Sequence, residues 1–313
     1  MKDLRVVFMG TPDFGVPILE SLIENCNVIA VVSQPDKPSN RGEVKYSPIK
    51  SLALSKNIKV FQPATIKTDF KEILDEKPDI IITCAYGQII PKDILDFPKY
   101  GCINVHASLL PKLRGGAPIH KAIIDGHDKT GITIMNMALK MDAGDIISQR
   151  SIDILDSDTV GSLHDKLSLL GRDLLLETLP NIISGNINPI KQDESLATFA
   201  WNIKREEERI DFSKTSREII NQIRGLNPWP VAYSMLNGKI IKIWSAKSSD
   251  NYPPSNCING QITKLYEDGI GVKTGNGEII ITELQLEGRK RMDAVKFMNG
   301  VVNKELLVGR IFE

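Results

Sequence analysis

Asn104 and His106 stand two residues apart at the end of the apolar run 102–105, so in an extended strand both side chains project to the same side. One is an amide that donates hydrogen bonds, the other a titratable imidazole. Asp142 lies in the turn-like segment 140–145, KMDAGD, after a second apolar strand pattern at 132–137, and can bring a carboxylate to the same edge. The three groups suit acyl transfer: the Asn104 amide and the His106 imidazole as donors for the charge that develops on a carbonyl oxygen, and the Asp142 carboxylate to orient the imidazole and help move the proton of the attacking group. Singly, each has a plainer reading, because a histidine beside a strand serves equally as a structural group and an asparagine at a strand end as a turn or cap. The stretch HASLLPKLRGGAP (106–118) then supplies the glycine and proline of a loop that offers backbone groups to a ligand.

Patterns for the elements that must hold these residues surround them. Near-continuous β-rich runs at 4–9, 28–33, 59–63, 79–84, 102–106 and 132–137 alternate with helical patterns at 16–25, 48–56 and 70–76. Strands apolar on both faces and spaced by helices form a parallel sheet covered on both sides, so the fold class is α/β with a doubly wound, Rossmann-like sheet. Ligands in such sheets bind beyond the carboxyl ends of the strands, where Asn104 and His106 fall. A longer helix is expected over 159–183, with Leu163, Leu167, Leu170, Leu174 and Ile182 as its apolar stripe, Asp158 as N-cap and Gly185 at its end. Residues 186–198 lack a strong period and read as linker. Beyond them comes a helix around 213–226, stopped by Asn227-Pro228-Trp229-Pro230, and then strands at 232–236, 239–245, 260–265, 269–274 and 278–286. Short strands with turn signals such as Asn237-Gly238 fit a small β-barrel.

Composition narrows the classes. The chain has 313 residues, 42% hydrophobic and 25% charged, which suits two domains with ordinary cores and no membrane partner. The amino-terminal segment reads as a first strand and its turn rather than a signal peptide, so a cytoplasmic location is expected. Cys26, Cys84, Cys102 and Cys257 form no CxxC pair, and His106, His120, His127 and His164 have no ligand spacing, so neither a metal nor a disulfide framework is expected. GTPDFG (10–15) is neither GxGxxG nor a P-loop, since Val16 and Pro17 stand where a P-loop needs Lys and Ser or Thr. Net charge is zero, yet residues 204–313 carry 17 Lys and Arg against 14 Asp and Glu, a mild excess that leaves room for a local basic track.

Read in order, GTPDFG (10–15), QPDKP (34–38), AYGQIIP (85–91), GCINVHASLLPKLRGGAP (101–118) and MDAGD (141–145) resemble the segments of the folate-dependent formyltransferases. REEERIDF (205–212), GLNPWPVAY (225–233) and LQLEGRKRM (284–292) are similar to those members of the family whose acceptor is a charged initiator tRNA. The resemblance implies transfer of a formyl group from 10-formyltetrahydrofolate, as formyl donor, to the α-amino group of a methionyl initiator tRNA. It implies Asn104, His106 and Asp142 as catalytic residues, and Tyr86, Gly87, Ile89, Ser108, Leu109, Leu110 and Pro111 as the folate-binding set. For the tRNA it implies Arg41 in the loop 34–50, where the loop is one residue shorter than is typical and Glu43 stands in place of a basic residue. Lys204, Arg205, Lys239, Lys242, Arg289 and Lys290 are the candidates for a basic face on an OB-like barrel. The expected division is a catalytic domain over 1–189, a linker over 190–208 and a C-terminal tRNA-binding barrel over 209–313, in a chain expected to be monomeric.

Two other functions stay open on the sequence. A formyltransferase for a small amine, such as a purine-pathway ribonucleotide or a nucleotide-linked amino sugar, would share the Asn, His and Asp set. A tRNA-binding protein on a degenerate enzyme fold would bind tRNA without turning over folate.

Overall fold

Near-continuous apolar runs become the central strands of a seven-stranded sheet in the computed structural model, which describes residues 1–38 and 44–313. Strands β1 (Arg5–Gly10), β2 (Asn27–Val32), β3 (Lys59–Phe61), β4 (Ile80–Cys84) and β5 (Cys102–His106) are parallel, in the order β3-β2-β1-β4-β5. Every residue of β4 is buried, as expected of a strand covered on both faces. The chain builds outward from β1 on one side and then resumes on the other with β4. That reversal opens a crevice at the carboxyl ends of β1 and β4, beside the end of β5.

The sheet is not wholly parallel. It ends with β6 (Lys129–Asn136) and β7 (Ile146–Asp153), each antiparallel to its neighbour. For β7 the reason is connection length: β6 and β7 are joined by the short segment 137–145, and a parallel pair would need a crossover of a dozen residues or more. Because β6 runs against β5, with Ile103 opposite Asn136, the segment that carries Asp142 leaves from the amino-terminal end of β5.

Helices α1 (Val16–Asn25) and α2 (Pro48–Ser55) belong to the same unit, and Ser47 caps α2 by accepting from the Lys50 amide at 3.2 Å. The long helix α3 spans Val160–Ser184. Its cap is Thr159, whose hydroxyl accepts from the Ser162 amide at 3.3 Å; the expected cap, Asp158, instead accepts from the Leu155 amide at 3.0 Å. Leu163, Leu167, Leu174 and Ile182 are buried as the stripe predicts. Gly171 lets α3 come close to β5, since a Cβ there would lie 3.0 Å from a Val105 methyl.

The chain folds as two units, residues 1–118, 129–153 and 164–201 in one, and 119–128, 154–163 and 202–313 in the other. The second unit contains α4 (Ser216–Gly225), opened by a reciprocal Thr215 and Glu218 cap. It also contains strands β8 (Tyr233–Leu236), β9 (Lys239–Ser248), β10 (Ile262–Leu265), β11 (Ile270–Lys273), β12 (Glu278–Leu286) and β13 (Met292–Asp293). The order is β8-β9-β12-β11-β10, with β13 on β12. The last residues link the two edges: Phe312 bridges Leu236 beyond β8, and Ile311 bridges Gln261 beside β10. Alternate residues Ile241 and Ile243, with Ile270, Val272, Ile279 and Ile281, fill the interior.

Candidate active site

Asn104 and His106 occupy alternate positions of β5, as the period of a strand requires. Thr83, opposite Asn104 on β4, donates its hydroxyl to Asn104 Oδ1 at 2.9 Å. With the oxygen of the amide held, the NH2 end is left as the donor. His106 is buried, and its Nε2 sits 3.1 Å from the Leu113 carbonyl oxygen. A carbonyl only accepts, so Nε2 carries the proton and Nδ1 is the nitrogen that faces Asp142, whose Oδ2 lies 3.7 Å away. This changes the role read from the sequence: the Nε2 proton is engaged by Leu113, so His106 offers its chemistry at Nδ1.

Asp142 reaches this position because its loop doubles back from the amino end of β5, and the contacts that hold it there are long-range in sequence. Its Oδ2 accepts from the Gly115 amide at 2.8 Å, while its own backbone is in the left-handed region, φ 50°. Gln192 Nε2 donates to the carbonyls of Asp142 and Gly144, at 2.8 and 2.7 Å. Gln192 Oε1 in turn accepts from the fully buried Arg114, whose Nη2 also donates to Glu194 Oε1 at 2.9 Å. Glu194 pairs further with Lys140, and hydrogen bonds from Arg114 and then Lys140 hold its carboxyl down at a pKa of about 2. Gly144 is required here, since a Cβ would fall 1.8 Å from the Asn136 carbonyl oxygen.

Part of the segment expected to be a linker therefore lies along the loop 113–117. Arg114 donates its amide to the Thr198 carbonyl at 2.9 Å, Ala200 to Arg114 at 2.7 Å, and Ala117 to Ala200 at 3.0 Å. Gly115, at φ +119°, fits because any Cβ would stand 2.7 Å from the Ala200 oxygen. Gln192, Thr83 and Glu194 escaped sequence reasoning. Arg114 lies inside the RGGAP motif and was legible as a motif residue, whereas nothing local marks Gln192.

The residues expected to bind folate lie in two segments, one after β4 and one after β5. In the loop after β4, Ala85, Gly87 and Ile89 are exposed while Tyr86 and Ile90 are buried. Tyr86 packs among Val7, Met9, Ile81 and Ile94, its hydroxyl has no partner among the described residues, and burial pushes its pKa up to about 12; its carbonyl accepts from Gln34 at 3.0 Å. Ser108 is buried with its hydroxyl on the Lys112 carbonyl at 2.7 Å, and Thr133 ties Ser108 to Leu110. Leu110 is buried, and Leu109 and Pro111 remain partly accessible. Ile89, Leu109 and Pro111 leave apolar surface accessible, and Gly87 turns the backbone at φ 86°.

Of the expected tRNA contacts, Arg41 lies outside the described residues, as does Glu43. In the second unit Arg205 covers the Tyr233 ring at 4.2 Å, Tyr233 pairs with Lys242 across β8 and β9, and Lys242 pairs with Gln285, whose amide donates to the Arg289 carbonyl at 2.8 Å. Those residues share one tract. Glu208 pairs with Arg205 and offsets its charge. Lys239 begins β9 after the Asn237-Gly238 turn, and Lys204 and Lys290 are exposed. An aromatic the sequence reading passed over, Trp244, lies on the same strand under the Arg291 guanidinium at 4.6 Å. Among the described residues no cluster of His, Cys, Asp or Glu could hold a metal ion, and no helix is long and apolar enough to cross a membrane.

With this geometry in hand, two family models match in succession: formyl transferase over residues 4–179 and formyl transferase, C-terminal domain, over residues 202–302. The chain belongs to the formyl transferase family. Its relatives include the methionyl-tRNA formyltransferase of Bacillus subtilis (strain 168), 54% identical over 301 residues that cover 95% of this chain and 94% of the relative. Among solved structures, an N-formyltransferase from Helicobacter canadensis in complex with folinic acid and dTDP-3-aminofucose matches with a TM-score of 0.64 at 21% identity, covering 90% of this chain and 99% of that one. HypX from Aquifex aeolicus in complex with tetrahydrofolic acid matches with a TM-score of 0.64 at 17% identity. That alignment covers 96% of this chain but only 48% of HypX, so the chain spans about half of that protein. Both structures share the fold.

Proposed function

We propose that the chain transfers a formyl group from 10-formyltetrahydrofolate to the α-amino group of methionine esterified to initiator tRNA, yielding a formylated initiator for translation in the cytoplasm. The observation that carries this reading is 54% identity to a methionyl-tRNA formyltransferase through both units. The folate supplies an activated one-carbon unit, so the work left to the protein is positioning and charge stabilisation. The Asn104 NH2, its oxygen tied to Thr83, donates to the formyl oxygen as negative charge develops there. His106 Nδ1, facing Asp142, takes the proton released as the amine nitrogen bonds to the formyl carbon; the carbon–N10 bond breaks and a proton ends on N10. Asp142 holds a negative charge beside that imidazole, and Gly115 fixes its orientation.

The test is formyl transfer from 10-formyltetrahydrofolate to charged initiator tRNA, uncharged tRNA and a nucleotide-linked amino sugar. Only the charged tRNA should be formylated. Asn104→Ala should lower turnover by a factor on the order of 10² to 10³, as loss of a single donor to a developing oxyanion does. Formylation of the amino sugar in preference to tRNA, or near-native turnover by Asn104→Ala, would remove the reading.

A further inference from the structure

Phe199 and Trp201 stack in parallel, ring centroids 5.3 Å apart and 3° between planes, yet they are 45% and 58% exposed. Between them Ala200 is fully buried and hydrogen-bonded on both sides of Gly115, to Arg114 and Ala117. The pair is thus a rigid aromatic surface carried by a strap that is itself part of the hydrogen bonding of the loop 113–117. Exposed stacked rings have a cost in water that a core would relieve, and here the backbone holds them outward instead.

From this we infer that Phe199 and Trp201 form a stacking platform for an unpaired base at the 3′ end of the acceptor tRNA. The inference rests on the function proposed above. In an aminoacylated tRNA the reacting amine is separated from the terminal base by the ester and one ribose, a reach of roughly 8 Å at the span of a covalent chain. The strap that carries the rings is joined to the loop that holds Asp142: Ala200 hydrogen-bonds to Arg114 and Ala117 on either side of Gly115, whose amide donates to Asp142 Oδ2 at 2.8 Å. Unpaired RNA bases are recognised chiefly by stacking on aromatic side chains, whatever their sequence, because every base has a π-face. Such a platform would seat the single-stranded end while leaving the folate crevice untouched.

The experiment is a cycle between protein and RNA. Native protein and the Phe199→Ala, Trp201→Ala double variant are titrated with a methionyl minihelix ending in its natural terminal nucleoside and with one ending in an abasic ribose. Removing the base should weaken binding by native protein roughly 5- to 100-fold and leave binding by the double variant unchanged. In turnover, the double variant should show a raised KM for methionyl-tRNA with an unchanged KM for 10-formyltetrahydrofolate, and Trp201→Phe should restore most of the loss. Equal weakening of both proteins by the abasic end overturns the platform. So does a double variant whose sedimentation changes while its tRNA KM does not, which would assign the rings to a protein contact. Failure of native protein to formylate charged tRNA would strike the proposed function instead, and the binding cycle, which needs no turnover, would still decide the platform.

Discussion

Replacing Gln192 by methionine keeps the length of the side chain and removes both ends of the bridge between Arg114 and the Asp142 loop. Four hydrogen bonds go with it: two from Arg114 to Oε1 and two from Nε2 to the carbonyls of Asp142 and Gly144. A neutral hydrogen bond contributes about 1 kcal/mol net and one to a charged group about 2, so the two carbonyl bonds and the Arg114 interaction sum to about 4 kcal/mol. Domains are stable by about 5–15 kcal/mol, so the variant should still fold. The larger effect should fall on chemistry. Asp142 is an L-residue at φ 50°, a conformation that costs about 1–2 kcal/mol and persists here under the hold of Gln192. Once released, the turn can relax and carry the carboxylate away from His106, and a displacement near 1 Å costs about 100-fold in rate. Urea unfolding gives the stability, and formyl transfer per folded molecule gives kcat. An equally destabilised barrel-core variant, Ile243→Ala, serves as control and should keep its turnover. Should Gln192→Met lose the stability while its kcat stays within two- to threefold of native, the argument that Gln192 orients Asp142 is refuted.

Other perturbations read other links. Glu194 is held at a pKa of about 2 against an ordinary 4.5, a depressed value, so its ion pairs contribute fully above about pH 4.5 and are lost as pH falls towards 2. The stability gap between native protein and Glu194→Gln should therefore be constant near neutrality and close across that acid window; a gap independent of pH would show that the carboxylate charge does not matter. Tyr86→Phe removes a buried hydroxyl with no partner among the described residues and should leave stability unchanged or raise it by about 1 kcal/mol in thermal unfolding. A loss above that size would mean the hydroxyl is satisfied in solution. Burial pushes the Cys84 and Cys102 thiols to about 12 and raises that of Cys26, so iodoacetamide at pH 8 should label the half-buried Cys257 first, as peptide mapping would reveal. Rapid labelling of Cys102 in folded protein would contradict the burial of β5.

The parallel core and the barrel strands were legible because burial writes itself into local pattern. A strand covered on both faces has to be largely apolar, as 80–84 is, and one covered on one face has to alternate, as Ile241, Lys242 and Ile243 do. Asn104 and His106 were legible for the same reason, since the period of a strand puts both on one side. The direction of β6 was not. It follows from which strand it meets, and apolar residues pair equally well either way. That direction sends the Asp142 loop off from the far end of β5, and only distant contacts with Gly115 and Gln192 bring the carboxylate back to His106. The strap at 192–200 has no hydrophobic period because it is held by main-chain hydrogen bonds and a buried guanidinium, and those partners are available to almost any sequence. Sequence alone thus determined the layers and brought Asn104 and His106 to one side of a strand as candidates, through local periodicity. Which way each group points was decided by tertiary structure, through hydrogen bonds between residues far apart in the chain.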